Sequence, residues 1–274
     1  LDPFVAMGFV RAHTTTRRLI PNIVVLPYRN PFIVAKAGAT LDLVSGGRFT
    51  LAVGVGYLKR EFAALGVDFD DRAALFEESL QVIRDIWTTD DVTIDGKHFT
   101  AKGITAHPRP VSVPHPPIWI GGNTAAARTR VVAHGQGWCP FRAPATLAQT
   151  ARTAALESLA DLAAGIGDLR RRLEEAGRDP STVDVTFTNH AGGTPGADDF
   201  DADAFLEGVA QLTELADLTV LAKQPDDMCA DLTALNELCR ERRGVAAKAQ
   251  ELDLDGRLAG YGRPAERGGD GPQL

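Results

Sequence analysis

The stretch Pro116-Pro117-Ile118-Trp119-Ile120-Gly121-Gly122-Asn123-Thr124 runs straight into a helix-like segment, residues 125–133. Two prolines open a short apolar strand, and a Gly-Gly pair closes it just before a helix. Strand, glycines and helix N-terminus in that order make a βα unit, and the same order makes an anion site. Glycines let the backbone come close to a phosphate, and unpaired N–H groups of the first helical turn point at it. The same residues also read as plain turn chemistry, so the rest of the chain has to decide between the two.

Outward from this unit, apolar stretches of strand length alternate with longer helical ones, the pattern of an α/β protein with parallel strands. Asp2-Pro3 is an N-cap followed by a proline at the first helical position, which predicts a helix over 4–13. Residues 18–26 read as a strand, Asn30-Pro31 opens a helix to about Val44, and 48–55 is the next strand. Asp70 or Asp71 caps an amphipathic helix to Trp87. Residues 92–99 read as a hairpin turning at Asp95-Gly96. After the strand 118–122 come a helix to His134, a strand over 137–141 and a helical region to Ala176. A strand over 183–188, a helix over 202–216, a strand over 218–222 and a helix over 225–250 complete the pass. One domain is expected over 1–250, with a charged, Gly-rich and disordered tail over 251–274.

Strands beginning at 18, 48, 118, 137, 183 and 218 give six βα units, two short of a (β/α)8 barrel. A barrel reading therefore places two further units before Leu1, and a doubly wound sheet is the rival architecture. The two Gly-Gly pairs are not equivalent. Gly46-Gly47 precedes a strand and reads as a helix C-cap, with Arg48 as a structural ion-pairing group. Gly121-Gly122 follows a strand and lies on the face where barrels carry their chemistry. Along residues 49–56, Phe49, Leu51, Val53 and Val55 form a bulky row that should pack under helices. Thr50, Ala52, Gly54 and Gly56 form a small row facing the interior. Small residues there either leave space for a flat ring or permit close packing, and the pattern allows both.

Composition bounds the function. The 274 residues can bury a sizeable core, and no apolar run approaches the length of a membrane span. A net charge of −7 argues against nucleic acid or an anionic membrane as partner. Cys139, Cys229 and Cys239 show neither a disulfide framework nor zinc spacing, and no His/Asp/Glu cluster has metal spacing, so no metal is expected. Nothing at the N-terminus reads as a signal peptide, and a cytoplasmic protein is expected.

Several segments together resemble the luciferase-like monooxygenase superfamily, and within it the actinobacterial F420-dependent oxidoreductases. They are Leu26-Pro27-Tyr28-Arg29-Asn30-Pro31, Leu41-Asp42-Leu43-Val44-Ser45-Gly46-Gly47-Arg48, Val53-Gly54-Val55-Gly56-Tyr57, Arg72 with Glu77, Ile86-Trp87, Pro108-Arg109-Pro110, Pro114 to Gly122, and Gly137-Trp138. The resemblance implies a (β/α)8 TIM barrel with an insertion before its fifth strand, which fits the hairpin, and with its first two strands missing from this chain. It implies a deazaflavin ring at the barrel mouth, backed by Ile23, Val24 and Val25, often through a cis non-proline peptide. Gly54 and Gly56 would lie under the ring and Tyr57 would face substrate. Gly121 and Gly122 would hold the phosphate, helped by Arg142. Family members often carry a histidine near the second strand, so the catalytic acid or base is expected outside this sequence. His190, at a strand end, is the remaining candidate within it.

The expectation that follows is an F420-dependent oxidoreductase moving hydride between coenzyme F420 and a small organic substrate, and the resemblance carries a homodimer. The alternatives are an FMN-dependent monooxygenase of the same fold and a non-catalytic barrel fragment.

Overall fold

The computed structural model describes residues 1–193, 198–215 and 218–221. The expected helix over 225–250 and the tail over 251–274 lie outside the described residues.

Capping chemistry sets most element boundaries. Asp2 Oδ1 accepts the N–H groups of Phe4 and Val5 (3.0 and 3.1 Å) and starts α1 (Pro3–His13). A short β1 (Val24–Val25) leads through a 3-10 turn at Leu26–Tyr28 to α2 (Pro31–Ser45), which Asn30 caps. Gly46 and Gly47 end α2 at φ 69° and 82°, and their N–H groups return to Leu43 O and Asp42 O. Next come β2 (Leu51–Gly54), α3 (Lys59–Ala64) and α4 (Arg72–Thr88). The antiparallel pair β3 (Val92–Asp95) and β4 (Thr100–Ile104) follows, then β5 (Ile118–Gly121), α5 (Ala125–His134) and β6 (Gly137–Cys139). The described part closes with α6 (Ala145–Ala151), α7 (Leu159–Glu175), β7 (Asp184–Asn189), α8 (Ala202–Thr213) and β8 (Leu218–Leu221).

Six strands form one parallel sheet in the order β1-β2-β5-β6-β7-β8, and the β3–β4 hairpin stands apart as an insertion. The sheet is curled. Arg18, just before β1, reaches Asp184 at the start of β7 (3.5 Å), although β2, β5 and β6 lie between those strands. In a flat sheet, at about 4.8 Å per strand, they would be roughly 19 Å apart, well beyond an arginine side chain. Only a sheet rolled toward a barrel brings them together.

Rolling gives the two rows of β2 different surroundings. Phe49, Leu51 and Val53 join the large outer core with Val34 and Ala39 of α2, Leu80, Ile83 and Trp87 of α4, and Leu169 of α7. Ala52 faces inward and packs with Trp119, Cys139, Ile20 and Ile23. The Trp119 indole lies flat on Gly137, where a Cβ would be 2.4 Å from Trp119 Cδ1. The small row does face the interior, as the alternation predicts.

Several expectations need correction. The strand over 18–26 is broken. Leu19 pairs with Phe49 and Val24 with Val53, so five steps on one strand match four on the other, a β-bulge containing Pro21. The hairpin turns at Lys97-His98, not at Asp95-Gly96. Gly96 N–H bonds to Phe99 O (3.0 Å), while the Glu78 carboxylate from α4 accepts the N–H groups of His98 and Phe99. Among the described residues Arg48 pairs with no carboxylate. Its guanidinium donates to the carbonyls of Ser45, Arg17 and Thr14. The helical region to Ala176 is two helices, parted where Arg152 takes a left-handed φ of 49° and Ser158 opens α7 with a capping box.

Candidate functional site

The start of β1 and the C-terminal ends of β2 and β5 meet around one side chain. The Asn22–Ile23 peptide is cis, and Ile23 turns inward. Its Cδ1 lies 2.3 Å from where a Cβ on Gly54 would be and 2.7 Å from where one on Gly121 would be. Glycine is required at both positions for Ile23 to sit there. The interior space that the small row could leave for a ring is thus partly filled, and half-buried Ile23 becomes a platform at the mouth. Val24 is 2% exposed within the outer core, so its side chain does not line the mouth. Val25 lies beside Gly56, where a Cβ would be 2.6 Å from Val25 Cγ1.

The glycines do not supply their own N–H groups to an anion. Gly122 N–H bonds to Cys139 O (3.2 Å), and Gly122 O accepts Trp138 Nε1–H (2.8 Å). Gly122 holds a φ of 115°, which favours glycine, and turns the chain into α5. The free donors belong to the helix. Thr124 Oγ1 caps Ala127 N–H (3.1 Å), and Arg128 N–H reaches Thr124 O, leaving Ala125 and Ala126 N–H without a partner among the described residues. No acidic residue lies in that first turn. Two unpaired N–H groups at the positive end of a helix dipole, with no carboxylate competing, fit a phosphate.

Asn123, unassigned from the sequence, holds this corner together. It is 3% exposed. Its Nδ2 donates to Phe141 O (2.9 Å) and Ala154 O (3.1 Å), its Oδ1 accepts Phe141 N–H (3.0 Å), and its own N–H reaches Thr153 Oγ1 (3.2 Å). The loops after β5 and β6 and the segment after α6 are thereby fixed to one another. From α5, Arg128 donates to Asn123 O (2.9 Å) and pairs with Asp168 of α7 (2.6 Å), so α5 is anchored to α7. The only sequence signal for Asn123 is a polar residue directly after Gly-Gly; its partners lie 18 and 31 residues away.

Arg142 and His190 form a second group. Arg142 follows β6, is exposed, and makes no hydrogen bond or ion pair among the described residues. With His190, Asn189, Phe187 and Gln211 it lines an open cavity of about 170 Å³ beside the end of β7, walled by the start of α7 and by α8. Desolvation first, and the Arg142 charge second, lower the pKa of His190 from its ordinary 6.5. Its imidazole is therefore neutral at pH 7. Tyr57 follows Gly56 in the loop leading to α3 and is 38% exposed. Ile23, Gly54 and Gly121 are thus in mutual contact, Gly56 joins them through Val25, and Gly122 follows at the turn into α5. Arg142 and His190 share a separate cavity.

The family model for luciferase-like monooxygenase matches residues 1–259. The FMNH(2)-dependent dimethylsulfone monooxygenase of Pseudomonas putida is 35% identical over 120 residues, 43% of this chain and 33% of that protein. The F420-dependent glucose-6-phosphate dehydrogenase of Beutenbergia cavernae is 37% identical over 122 residues, 43% of this chain and 36% of that protein. The matched part of the chain therefore spans only about a third of either relative's length. Among solved structures, a monooxygenase of Streptomyces bottropensis superposes with a TM-score of 0.61 at 19% identity, over 92% of this chain and 72% of the other, which bears on the fold alone.

Proposed function

The chain belongs to the luciferase-like monooxygenase family of flavin and deazaflavin oxidoreductases, and we propose that it is an F420-dependent oxidoreductase acting on a small organic substrate. One observation carries the reading. Ile23, Gly54 and Gly121 converge at the ends of three adjacent parallel strands, beside unpaired N–H groups at the start of α5. A flat ring against Ile23 and a phosphate at Ala125 and Ala126 need that combination.

Bound F420 supplies two-electron hydride transfer. The chain's own residues do the rest. The N–H groups of α5 hold the phosphate, and Asn123 keeps them in register with the loops on either side. Ile23 gives the ring an apolar face and limits water beneath it. His190 is the candidate proton acceptor, with the positive charge of Arg142 beside it, although the two lie in a cavity apart from the Ile23 platform. Tyr57 faces substrate at the rim.

A second reading is supported by the P. putida relative, which depends on FMNH2. The same phosphate corner accepts FMN. Absorbance titration of the purified chain with F420 and, separately, with FMN tests both. Saturable F420 binding with no FMN binding is expected. FMN binding alone, with substrate-dependent oxygen uptake, would replace the first reading by the second. Binding of neither would leave a barrel piece without catalytic function of its own.

A further inference from the structure

Three cationic side chains meet on one aromatic ring, and among the described residues no carboxylate forms an ion pair with any of them. Above Phe69, the Arg72 guanidinium carbon lies 3.8 Å from the ring centroid, Lys59 Nζ 5.0 Å and the Arg152 guanidinium carbon 5.2 Å. These distances to a shared ring keep every pair of the three within about one Debye length at 0.1 M salt, roughly 10 Å. Among the described residues none of the three forms an ion pair. Arg72 gives one N–H to Phe69 O (2.7 Å). Of the carboxylates in the same loop, Asp71 holds Lys97 (2.7 Å) and Asp68 accepts the Asp70 N–H (2.9 Å), while Asp70 forms no ion pair with any of the three cations. Phe69, 8% exposed, screens the cations only through its ring. Like charges held this close repel, and an anion between them relieves the repulsion.

The cluster adjoins the candidate cofactor site from two sides. Phe69 packs edge-on against Phe62 (5.2 Å, 90°), and Phe62 Cε2 lies 3.0 Å from where a Cβ on Gly56 would be. Arg152 precedes Thr153, the residue that accepts the Asn123 N–H. The three cations therefore bridge the loop that carries Gly56 and the segment tied to the start of α5.

We propose that Lys59, Arg72 and Arg152 form a second anion subsite, which takes carboxylate or phosphate groups that a ligand carries beyond the phosphate held at α5. This rests on the function proposed above. F420 continues past its phosphate into an oligoglutamate chain, whereas FMN ends at the phosphate. An anionic substrate is the other source of the same chemistry.

Two probes decide the matter on the native 274-residue chain and on a Lys59→Gln/Arg152→Gln double variant, whose altered residues are exposed. The first is F420 with its oligoglutamate tail against F420 trimmed to the phospholactyl group, titrated by fluorescence. The second is sodium tripolyphosphate, followed by melting temperature. The expected result is at least tenfold tighter binding of the tailed form at low salt, lost in the double variant and at high salt. Equal affinity for the two forms, with tripolyphosphate still stabilising the native chain but not the variant, assigns the subsite to an anionic substrate. Equal affinity with no such selective stabilisation overturns the subsite while leaving F420 binding in place. If neither form of F420 binds, the functional reading fails, and tripolyphosphate alone decides the subsite: selective stabilisation of the native chain supports it, and its absence overturns it.

Discussion

Gly121 meets two demands at once: it ends β5 against the Ile23 methyl, and it brings the backbone to the start of α5. Gly121→Asp would drive its side chain into Ile23 Cδ1, with the carbonyls of Val53 and Cys139 next nearest, and so disturb the platform beside α5. F420 affinity should fall at least tenfold, about 1.4 kcal/mol or more at 25 °C, and titration of the variant against the native chain measures it. Unchanged affinity would remove Gly121 and the Ile23 platform from the site. His190 gives a second test at this scale. Its pKa is held below 6.5 by desolvation and by Arg142, so Arg142→Gln should raise it, as read from the imidazole NMR signals across pH. The sign for stability follows. As pH falls, the unfolded chain takes up a proton at its ordinary pKa of about 6.5 before the native chain does. The contribution of neutral His190 is therefore fully present above that pH and is lost as pH drops through the lower native value. Arg142→Gln, by bringing the native value closer to the unfolded one, should make that loss smaller.

At the scale of elements, the βα corner after β5 depends on side chains as much as on glycines. Asn123→Ala would leave Phe141 N–H and the carbonyls of Phe141 and Ala154 without this partner in a partly buried corner. A loss of about 1–3 kcal/mol of stability is expected from denaturant unfolding, along with weaker cofactor binding. Gly137→Ala would push a Cβ into the rigid Trp119 ring and should cost about 1–3 kcal/mol through overpacking, read from the same unfolding curves. Features set by neighbouring residues were legible before the structure: the Asp2 and Asn30 caps, the Gly46-Gly47 stop, the inward small row of β2. Features set by distant partners were not. The hairpin turns at Lys97-His98 because Glu78, some twenty residues earlier, holds the turn N–H groups. The strand over 18–26 breaks at a bulge that only pairing with β2 reveals. The short α3 lacks a side-chain cap and buries only Phe62, so nothing local announced it.

For the whole molecule, counting strands anticipated the architecture, because βα alternation is written locally and six parallel strands follow it. The curl of the sheet was not legible, since it shows only in contacts such as Arg18 with Asp184 across four strand spacings. The curled sheet shares its fold with a solved structure, and the family match spans nearly the whole sequence. Which residues touch the cofactor rests on the convergence at the strand ends. Hydrogen exchange of the chain with and without saturating F420, resolved by residue, tests that convergence most directly. Protection confined to the segments around Ile23–Val25, Gly54–Gly56 and Gly121–Ala126 is the predicted result. Protection elsewhere with these segments unchanged, or none at saturation, would contradict it.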